Sequence, residues 1–298
     1  MECEPGTLTA KKVETIRQLG ITRLSLGVEN FDERLLELNG RAHRLKEIER
    51  AYGWVQAQGF QQVNIDLIAG MLEETDENWQ RCIDRTLAMA PDSVTIYQME
   101  VPFNTTLYQR MKESGQLTAP VADWPTKRGW VDRAFRQLED AGYTVGSAYT
   151  AVRDPRRTRF IYRDALWRGA DLLSLGVASF GHLNGTHYQN EHSLDTYLER
   201  LGRGELPIFR ALRPTPEELM LRELLLQWKL GRVDRAYFRD KFGIDPRERF
   251  AEAIASLAAE GFLDDQGETL CLHRHGLLQV DRLLHRFFLP QHRAARYA

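Results

Sequence analysis

Apolar residues recur along the first half of the chain with two different periods. Segments with apolar positions three or four residues apart predict helices over residues 8–19, 48–55, 79–87 and 130–138. Between them, apolar and polar or small residues alternate, which predicts strands over residues 23–28, 63–67, 94–96 and 143–152. Strands that alternate with helices in this way predict right-handed βα units around a parallel sheet or barrel.

Capping residues mark several of the predicted helix ends. Thr9 and Asp76 carry side-chain oxygens suited to the N-cap position, and Pro125 suits the first turn of a helix. Gly20 and Gly142 follow predicted helices, where a residue in the left-handed conformation often ends the helix. These signals support the predicted alternation.

The second half of the chain has a different pattern. The apolar run over residues 172–178 suits a buried strand or a close approach of the backbone to a ligand. From Pro216 the spacing predicts helices over residues 219–228, 237–242 and 250–260, a β-ribbon over 263–272 and a last helix over 277–284. This helix–helix–wing order is found in DNA-binding domains, but no basic recognition helix is present. A substrate lid or packing domain is therefore the favoured interpretation.

Composition narrows the protein class. The 298 residues are 43% hydrophobic and 28% charged, as in soluble globular proteins, with a formal net charge of −2. This charge argues against a nucleic-acid partner. No apolar run is long enough for a membrane span, and the first residues show no signal peptide, so we expect a cytoplasmic protein without a membrane span.

The cysteines predict no metal site. Cys3, Cys82 and Cys271 lie far apart, which gives neither a disulfide framework nor a closely spaced pair for zinc or iron–sulfur ligation. A small buried apolar side chain is the favoured role for Cys3.

Polar residues at the ends of the predicted strands are the first site candidates, because ligands bind at the carboxyl ends of parallel strands. The candidates are Glu2, Glu29, Asn30, Asp66, Gln98 and Glu100. Two simpler interpretations stay open. Asp66 is equally explained as a buried acid held by backbone N–H groups, and Glu29 with Arg41 as a surface ion pair.

A basic segment and one histidine are candidate substrate contacts. Residues 153–159 hold four arginines, and a guanidinium can bind a carboxylate through two hydrogen bonds. Arg153 and Arg157 are therefore proposed contacts for an acidic small molecule, with a solvated loop as the alternative. His182 is a further candidate, while the other histidines are expected to be structural or exposed.

Three sequence strings identify a family resemblance. They are GITRLSLGVENFD at residues 20–32, NGRAH at 39–43 and NIDLIAG at 64–70. Together they resemble the radical S-adenosylmethionine (SAM) enzymes of the oxygen-independent coproporphyrinogen III oxidase family. Later segments, DLLSLGV at 171–177 and YQN at 188–190, are similar to that family as well. The resemblance covers nearly the whole chain.

The resemblance implies an α/β fold and two domains. Residues 1–190 would form the C-terminal portion of a partial (β/α)6 radical SAM barrel. Residues 191–298 would form a mostly helical, winged-helix-like C-terminal domain with a small β-ribbon. This expectation agrees with the alternation of helices and strands.

The resemblance also implies SAM as a cofactor. By their match to the family motifs, Glu2, Glu29, Arg41 and Asp66 would contact SAM, and the backbone of Met99 would face its adenine. Glu29 stands where the family usually has glutamine. A carboxylate can accept a hydrogen bond there but cannot donate one as an amide does.

The family's C-x-x-x-C-x-x-C motif for a [4Fe–4S] cluster and its G-G-T-P stretch do not occur in the sequence. We therefore expect these residues to lack the cluster ligands and to be inactive alone. Glu2-Cys3-Glu4-Pro5 resembles a strand end with no strand before it. Our hypothesis is that N-terminal βα units are missing or that Met1 is internal to a longer product.

The family reaction is the function that the resemblance implies. A radical formed from SAM takes hydrogen from a porphyrinogen propionate, and loss of CO2 leaves a vinyl group, with a tetrapyrrole substrate and an electron donor protein as partners. Related haem chaperones carry H-N-x-x-Y-W, of which only Trp167 occurs in the aligned residues 162–167. The alternatives are a haem chaperone, another haem-handling radical SAM protein, or a non-catalytic interaction protein.

Overall fold

The computed structural model describes residues 1–100 and 121–293, without the side chains of residues 265 and 266. The described chain divides into two compact units, Met1–Arg159 and Phe160–Arg293. Each unit has its own sheets and helices.

The first unit contains a six-stranded sheet with the order β1-β2-β3-β4-β6-β5. Its strands are β1 (Glu2–Cys3), β2 (Arg23–Glu29), β3 (Gln62–Ala69), β4 (Ser93–Gln98), β5 (Thr144–Val145) and β6 (Thr150–Val152). Strands β1 to β4 are parallel, as the alternating pattern predicts. The single strand predicted over residues 143–152 is wrong, because β5 and β6 pair with each other as a hairpin and β6 runs antiparallel to β4.

Helices connect the strands of this sheet. They are α1 (Ala10–Gln18), α2 (Glu33–Leu38), α3 (Leu45–Ala57), α4 (Asp76–Met89) and α5 (Trp124–Asp140). The Thr9 side chain caps α1 by accepting from the Lys12 N–H, as predicted. The cap of α4 is Thr75 rather than Asp76, because the Thr75 side chain accepts from the Asn78 N–H.

The two faces of the parallel sheet differ in polarity. Leu24, Leu26, Ile65 and Leu67 alternate along β2 and β3 and are fully buried. The residues between them on these strands are mostly polar, since successive side chains point to opposite faces. This polar face of the sheet holds the candidate site residues Glu2, Glu29 and Asp66.

The second unit begins with a small antiparallel sheet of order β7-β8-β9. Its elements are α6 (Ile161–Leu166), β7 (Phe180–Leu183), β8 (Thr186–Asn190), α7 (Leu194–Gly202) and β9 (Ile208–Leu212). The apolar run at 172–178 is not the buried strand that its composition predicts. It makes only an isolated bridge from Leu172 to His182, and Leu173 and Leu175 are 67% and 81% exposed.

The rest of the second unit is mostly helical. It contains α8 (Pro216–Trp228), α9 (Arg235–Phe242), α10 (Pro246–Arg249), α11 (Ala251–Ala259), α12 (Arg274–Leu277) and α13 (Val280–Leu284), with strands β10 (Arg232–Asp234), β11 (Leu263–Gln266) and β12 (Thr269–Leu272). The predicted β-ribbon is confirmed, with β10 as an added strand. The last helix is split in two, where Gln279 leaves the helical conformation.

The division into two compact units falls between Arg159 and Phe160. Strand β8 forms a ladder with β9, which joins the segment before residue 190 to residues 208–212. The domain boundary expected at residue 190 stays a prediction.

Candidate functional site

Polar side chains form two rows across the parallel sheet. Ser25, Asn64 and Ser93 lie opposite one another on β2, β3 and β4. Two residues nearer the carboxyl ends of the strands, Asp66 lies opposite Thr95 on one side and Gly27 on the other. The strand register therefore brings side chains from distant parts of the sequence together at the carboxyl edge of the sheet.

Asp66 accepts hydrogen bonds from Ser25 and Asn64 of the first row. Ser25 Oγ donates to one Asp66 oxygen at 2.6 Å, and Asn64 Nδ2 donates to the other at 2.9 Å. Burial raises the pKa of Asp66 to about 6, although these two hydrogen bonds oppose the shift. Asp66 is thus a fixed carboxyl group that gains or loses a proton near neutral pH.

Glu29 lies at the end of β2, after a break in the strand register. Its φ of 66° is in the left-handed region, which glycine usually occupies. Arg41 Nη1 is 3.8 Å from Glu29 Oε1, and burial raises the pKa of Glu29 to about 7. The nearby charges of Asp66 and Glu4 also raise it, whereas Arg41 lowers it.

Gly27 leaves room for two carboxylates. A Cβ at this position would lie 3.1 Å from Glu29 Oε1 and 3.4 Å from Glu4 Oε1. Glu4 also approaches the buried His43, whose Nδ1 is 3.5 Å from Glu4 Oε2 and whose Nε2 is 3.1 Å from the Val28 carbonyl oxygen. Glu29, Glu4 and Asp66 therefore form an acidic group, here called the carboxylate cluster.

Glu74 fastens two loops beside this cluster. Its buried carboxylate accepts from the N–H groups of Gly70 and Met71 at 2.6 and 3.1 Å, and from Asn30 Nδ2 at 2.7 Å. Burial raises the pKa of Glu74 to about 7, against the effect of these donors. The loops after β2 and β3 are thereby tied together at the carboxyl edge.

Two family models match the chain. The radical SAM superfamily model matches residues 1–86, and the HemN C-terminal domain model matches residues 215–278. Residues 1–86 are therefore similar to radical SAM proteins, and residues 215–278 are similar to the C-terminal domains of HemN proteins.

Relatives of this chain carry two different names. The heme chaperone HemW of Bacillus subtilis is 23% identical over 282 residues, with 93% of this chain and 72% of that protein covered. The oxygen-independent coproporphyrinogen III oxidase of Pseudomonas aeruginosa is 25% identical over 320 residues, with 100% and 67% covered.

A solved structure confirms the fold. Coproporphyrinogen III oxidase (HemN) from Escherichia coli superposes with a TM-score of 0.79 at 19% identity, and the match covers 96% of this chain and 68% of that chain.

None of the helices in the described part of the chain has the length and apolar character that a membrane span requires.

The remaining residues expected to contact SAM occupy different surroundings. Glu2 lies on β1, is exposed, and is 4.0 Å from Arg23. Met99 directly follows β4, where its N–H donates to the Ala69 carbonyl at 2.8 Å and its own carbonyl accepts from Lys127 Nζ at 2.7 Å. The sheet therefore brings Glu29, Arg41 and Asp66 together, while the Met99 backbone is already hydrogen-bonded within the protein.

The arginines proposed as substrate contacts lie at the opposite edge of the sheet. Because β6 runs antiparallel to β4, Arg153 emerges beside the start of β4, where its Nη2 donates to the Pro91 carbonyl at 3.0 Å. The Arg157 carbonyl accepts from Gln62 at the start of β3. Neither arginine joins the carboxylate cluster, and His182 belongs to β7 of the second unit.

Some site residues were missed by the sequence analysis. His43 was part of the NGRAH string, and Glu4 was part of the opening acidic motif, so both had a signal. Tyr97 had none. It lies half exposed on the polar face, with its ring 6.0 Å from that of Tyr149, and burial together with Asp66 raises its pKa to about 12.

The cysteines do not fit the [4Fe–4S] cluster that the family implies. Cys3 lies on β1, Cys82 is buried in α4, and Cys271 lies on β12 of the second unit. In the part of the chain that the structure describes, no three His, Cys, Asp or Glu side chains are grouped to hold a metal ion. SAM carries an ammonium group and a carboxylate, whose charges are opposite to those of the carboxylate cluster and Arg41.

Proposed function

We propose that the chain binds SAM on the polar face of the parallel sheet and handles a tetrapyrrole of the coproporphyrinogen class. The carboxylate cluster is the observation that carries the first part. Glu29 is buried, and Arg41 is the cation beside it at 3.8 Å. A buried acid of this kind attracts a cationic ligand, since the ligand would stabilise the ionised form.

The chemical groups of SAM suit this arrangement. Its ammonium and ribose hydroxyls can donate to Asp66 and Glu29, and its carboxylate can accept from the Arg41 guanidinium. The half-exposed Tyr97 offers an aromatic surface on the same face. Bound SAM would supply the radical precursor of the family chemistry, while these residues bind and orient it.

The tetrapyrrole part rests on the relatives. Named relatives include both a coproporphyrinogen oxidase and a heme chaperone, and the HemN-like family supports an oxidoreductase class. We favour the oxidase substrate because α6, where the chaperone motif would lie, contains no histidine. Its Arg163 instead donates to Asp164 at 2.8 Å and lies over the Trp167 ring.

SAM binding by the purified chain is the first test. We expect SAM to bind in equilibrium dialysis, and Asp66→Asn and Arg41→Gln each to weaken binding by about tenfold or more, because each removes a charged partner. Glu37→Gln is the matched control, since Glu37 is an exposed acid on α2. Equal SAM affinity in all variants would refute the assignment of the carboxylate cluster.

Tetrapyrrole preference is the second test. Coproporphyrin III, the air-stable form of the substrate, should bind more tightly than haem. Tighter binding of haem would favour the chaperone, which is the second candidate function. Binding of neither, with SAM binding intact, would contradict the tetrapyrrole proposal alone.

A further inference from the structure

Two histidines lie side by side on one face of the β7–β8 hairpin. His182 and His187 are directly opposite in the antiparallel register, with ring centroids 6.4 Å apart. The Phe180 ring stacks on His187 at 5.6 Å. The sheet therefore presents two imidazoles and an aromatic ring together.

His182 is a buried side chain with one ring nitrogen that lacks a hydrogen-bond partner in the described structure. It is 5% exposed, and its Nδ1 has no hydrogen-bond partner among the residues that the structure describes. A buried polar atom without a partner costs free energy, so such atoms in native proteins usually meet a ligand or water.

An arginine approaches the pair from α8. Leu219 of this helix packs toward the hairpin turn, where a Cβ on Gly185 would be 3.8 Å from Leu219 Cδ1. Arg222 lies one helical turn further on the same side of α8. Its charge contributes to the lowered pKa of both His182 and His187.

Arg222 itself lacks a counter-charge in direct contact. Within residues 1–100 and 121–293 it makes neither a hydrogen bond nor an ion pair, although burial lowers its pKa. Most other half-buried arginines of this unit hold carboxylates, as Arg235 holds Asp245 at 2.7 Å. A half-buried guanidinium without a carboxylate partner is suited to binding an anion through paired hydrogen bonds.

We infer that His182, His187 and Arg222, here called the His182 cluster, bind a carboxylate of the tetrapyrrole. This inference rests on the proposed function, because coproporphyrin carries four propionates. Arg222 would take the carboxylate through two hydrogen bonds, and the imidazoles would complete the site. Phe180 and Leu212, which are 49% and 61% exposed, provide apolar surface beside it for the ring.

Coproporphyrin III binding to the whole chain tests the inference. Arg222→Gln should weaken binding by about tenfold or more, while Arg232→Gln, an exposed arginine on β10, should leave it unchanged. The tetramethyl ester of coproporphyrin III should bind wild type and Arg222→Gln equally, because it has no carboxylate. Unchanged coproporphyrin III affinity in Arg222→Gln would overturn the inference.

A measurement on the wild-type protein covers the case in which Arg222→Gln fails to fold. In ¹⁵N spectra of the histidine rings, two of the eight histidines, His182 and His187, should shift with coproporphyrin III and not with its ester. Shifts elsewhere only, or none, would overturn the inference. SAM titration of the same sample separates the outcomes, since it reports on the first unit's carboxylate cluster.

Discussion

The two units contain acidic side chains whose pKa values are shifted in opposite directions. In the first unit, burial raises the pKa values of Glu29 and Asp66 to about 7 and about 6. In the second, hydrogen bonds from arginines lower those of Asp245 and Glu260 to about 2. The difference separates acids that are paired with arginines from acids whose charged form is disfavoured by burial.

Asp245 shows the structural case most clearly. Its carboxylate accepts from Arg235 at 3.0 and 2.7 Å, from Arg239 at 3.1 Å and from the Arg247 N–H at 2.9 Å. Both carboxylate oxygens of Asp245 accept hydrogen bonds, and the two arginines already balance its charge. Among the described residues, the Glu29 carboxylate accepts no hydrogen bond, and its nearest cation is the Arg41 guanidinium at 3.8 Å.

Removing the paired acid should give the largest loss of stability. Asp245→Ala leaves two arginines without their partner and removes the cap of α10, so we expect the second unit to lose about 3 kcal/mol. Urea unfolding followed by a probe in this unit would measure it. Asp240→Ala, an exposed acid of α9, is the control, and equal stabilities of the two variants would contradict the comparison.

Glu29 should make the first unit less stable as pH rises. Unfolded Glu29 loses its proton near pH 4.5, but folded Glu29 keeps it until about pH 7. Between these values the folded state binds more protons, so the stabilisation present below pH 4.5 is lost as pH rises through 7. Asp245 has the opposite sign: its contribution is present above pH 3.8 and is lost as pH falls toward 2.

The test compares Glu29→Gln with wild type at pH 5 and pH 8. From pH 5 to pH 8 the variant should lose less stability than wild type, by on the order of 2 kcal/mol, because glutamine does not ionise. Glu37→Gln should follow wild type. Parallel pH profiles for wild type and Glu29→Gln would show that Glu29 is not a desolvated acid.

The sequence predicted the elements well and their arrangement less well. Helix α1, with its Thr9 cap, and the buried strands β2 and β3 follow from local periodicity. The direction of β6 does not, because strand pairing is a long-range property. That direction places Arg153 at the amino edge of the sheet, away from the site to which its charge had assigned it.

The grouping of the candidate residues was predictable where a motif contained them. Glu29, Arg41 and Asp66 came from the family strings, and the structure brings them together. Glu74 could not be found in this way, since its role depends on loop N–H groups and on Asn30, 44 residues earlier. The buried strand predicted over residues 172–178 was wrong, because apolar composition does not by itself determine burial.

The smallest predicted effect concerns the space beside the cluster. Gly27→Ala adds a Cβ within 3.1 Å of Glu29 Oε1, so we expect a several-fold loss of SAM affinity with less than about 1 kcal/mol change in stability. Gly53→Ala, where an added Cβ meets nothing within 4 Å, should leave affinity unchanged. Equal SAM affinity in both variants would mean that the carboxylates near Gly27 do not contact the ligand.

Proton release on SAM binding tests the central claim most directly. A cationic ligand that meets the protonated carboxylate cluster must displace protons, and calorimetry at pH 6.5 in buffers of different ionisation enthalpy counts them. We predict release of about one proton per SAM by wild type and clearly less by Glu29→Gln. No proton release, or the same release by both proteins, would contradict the account.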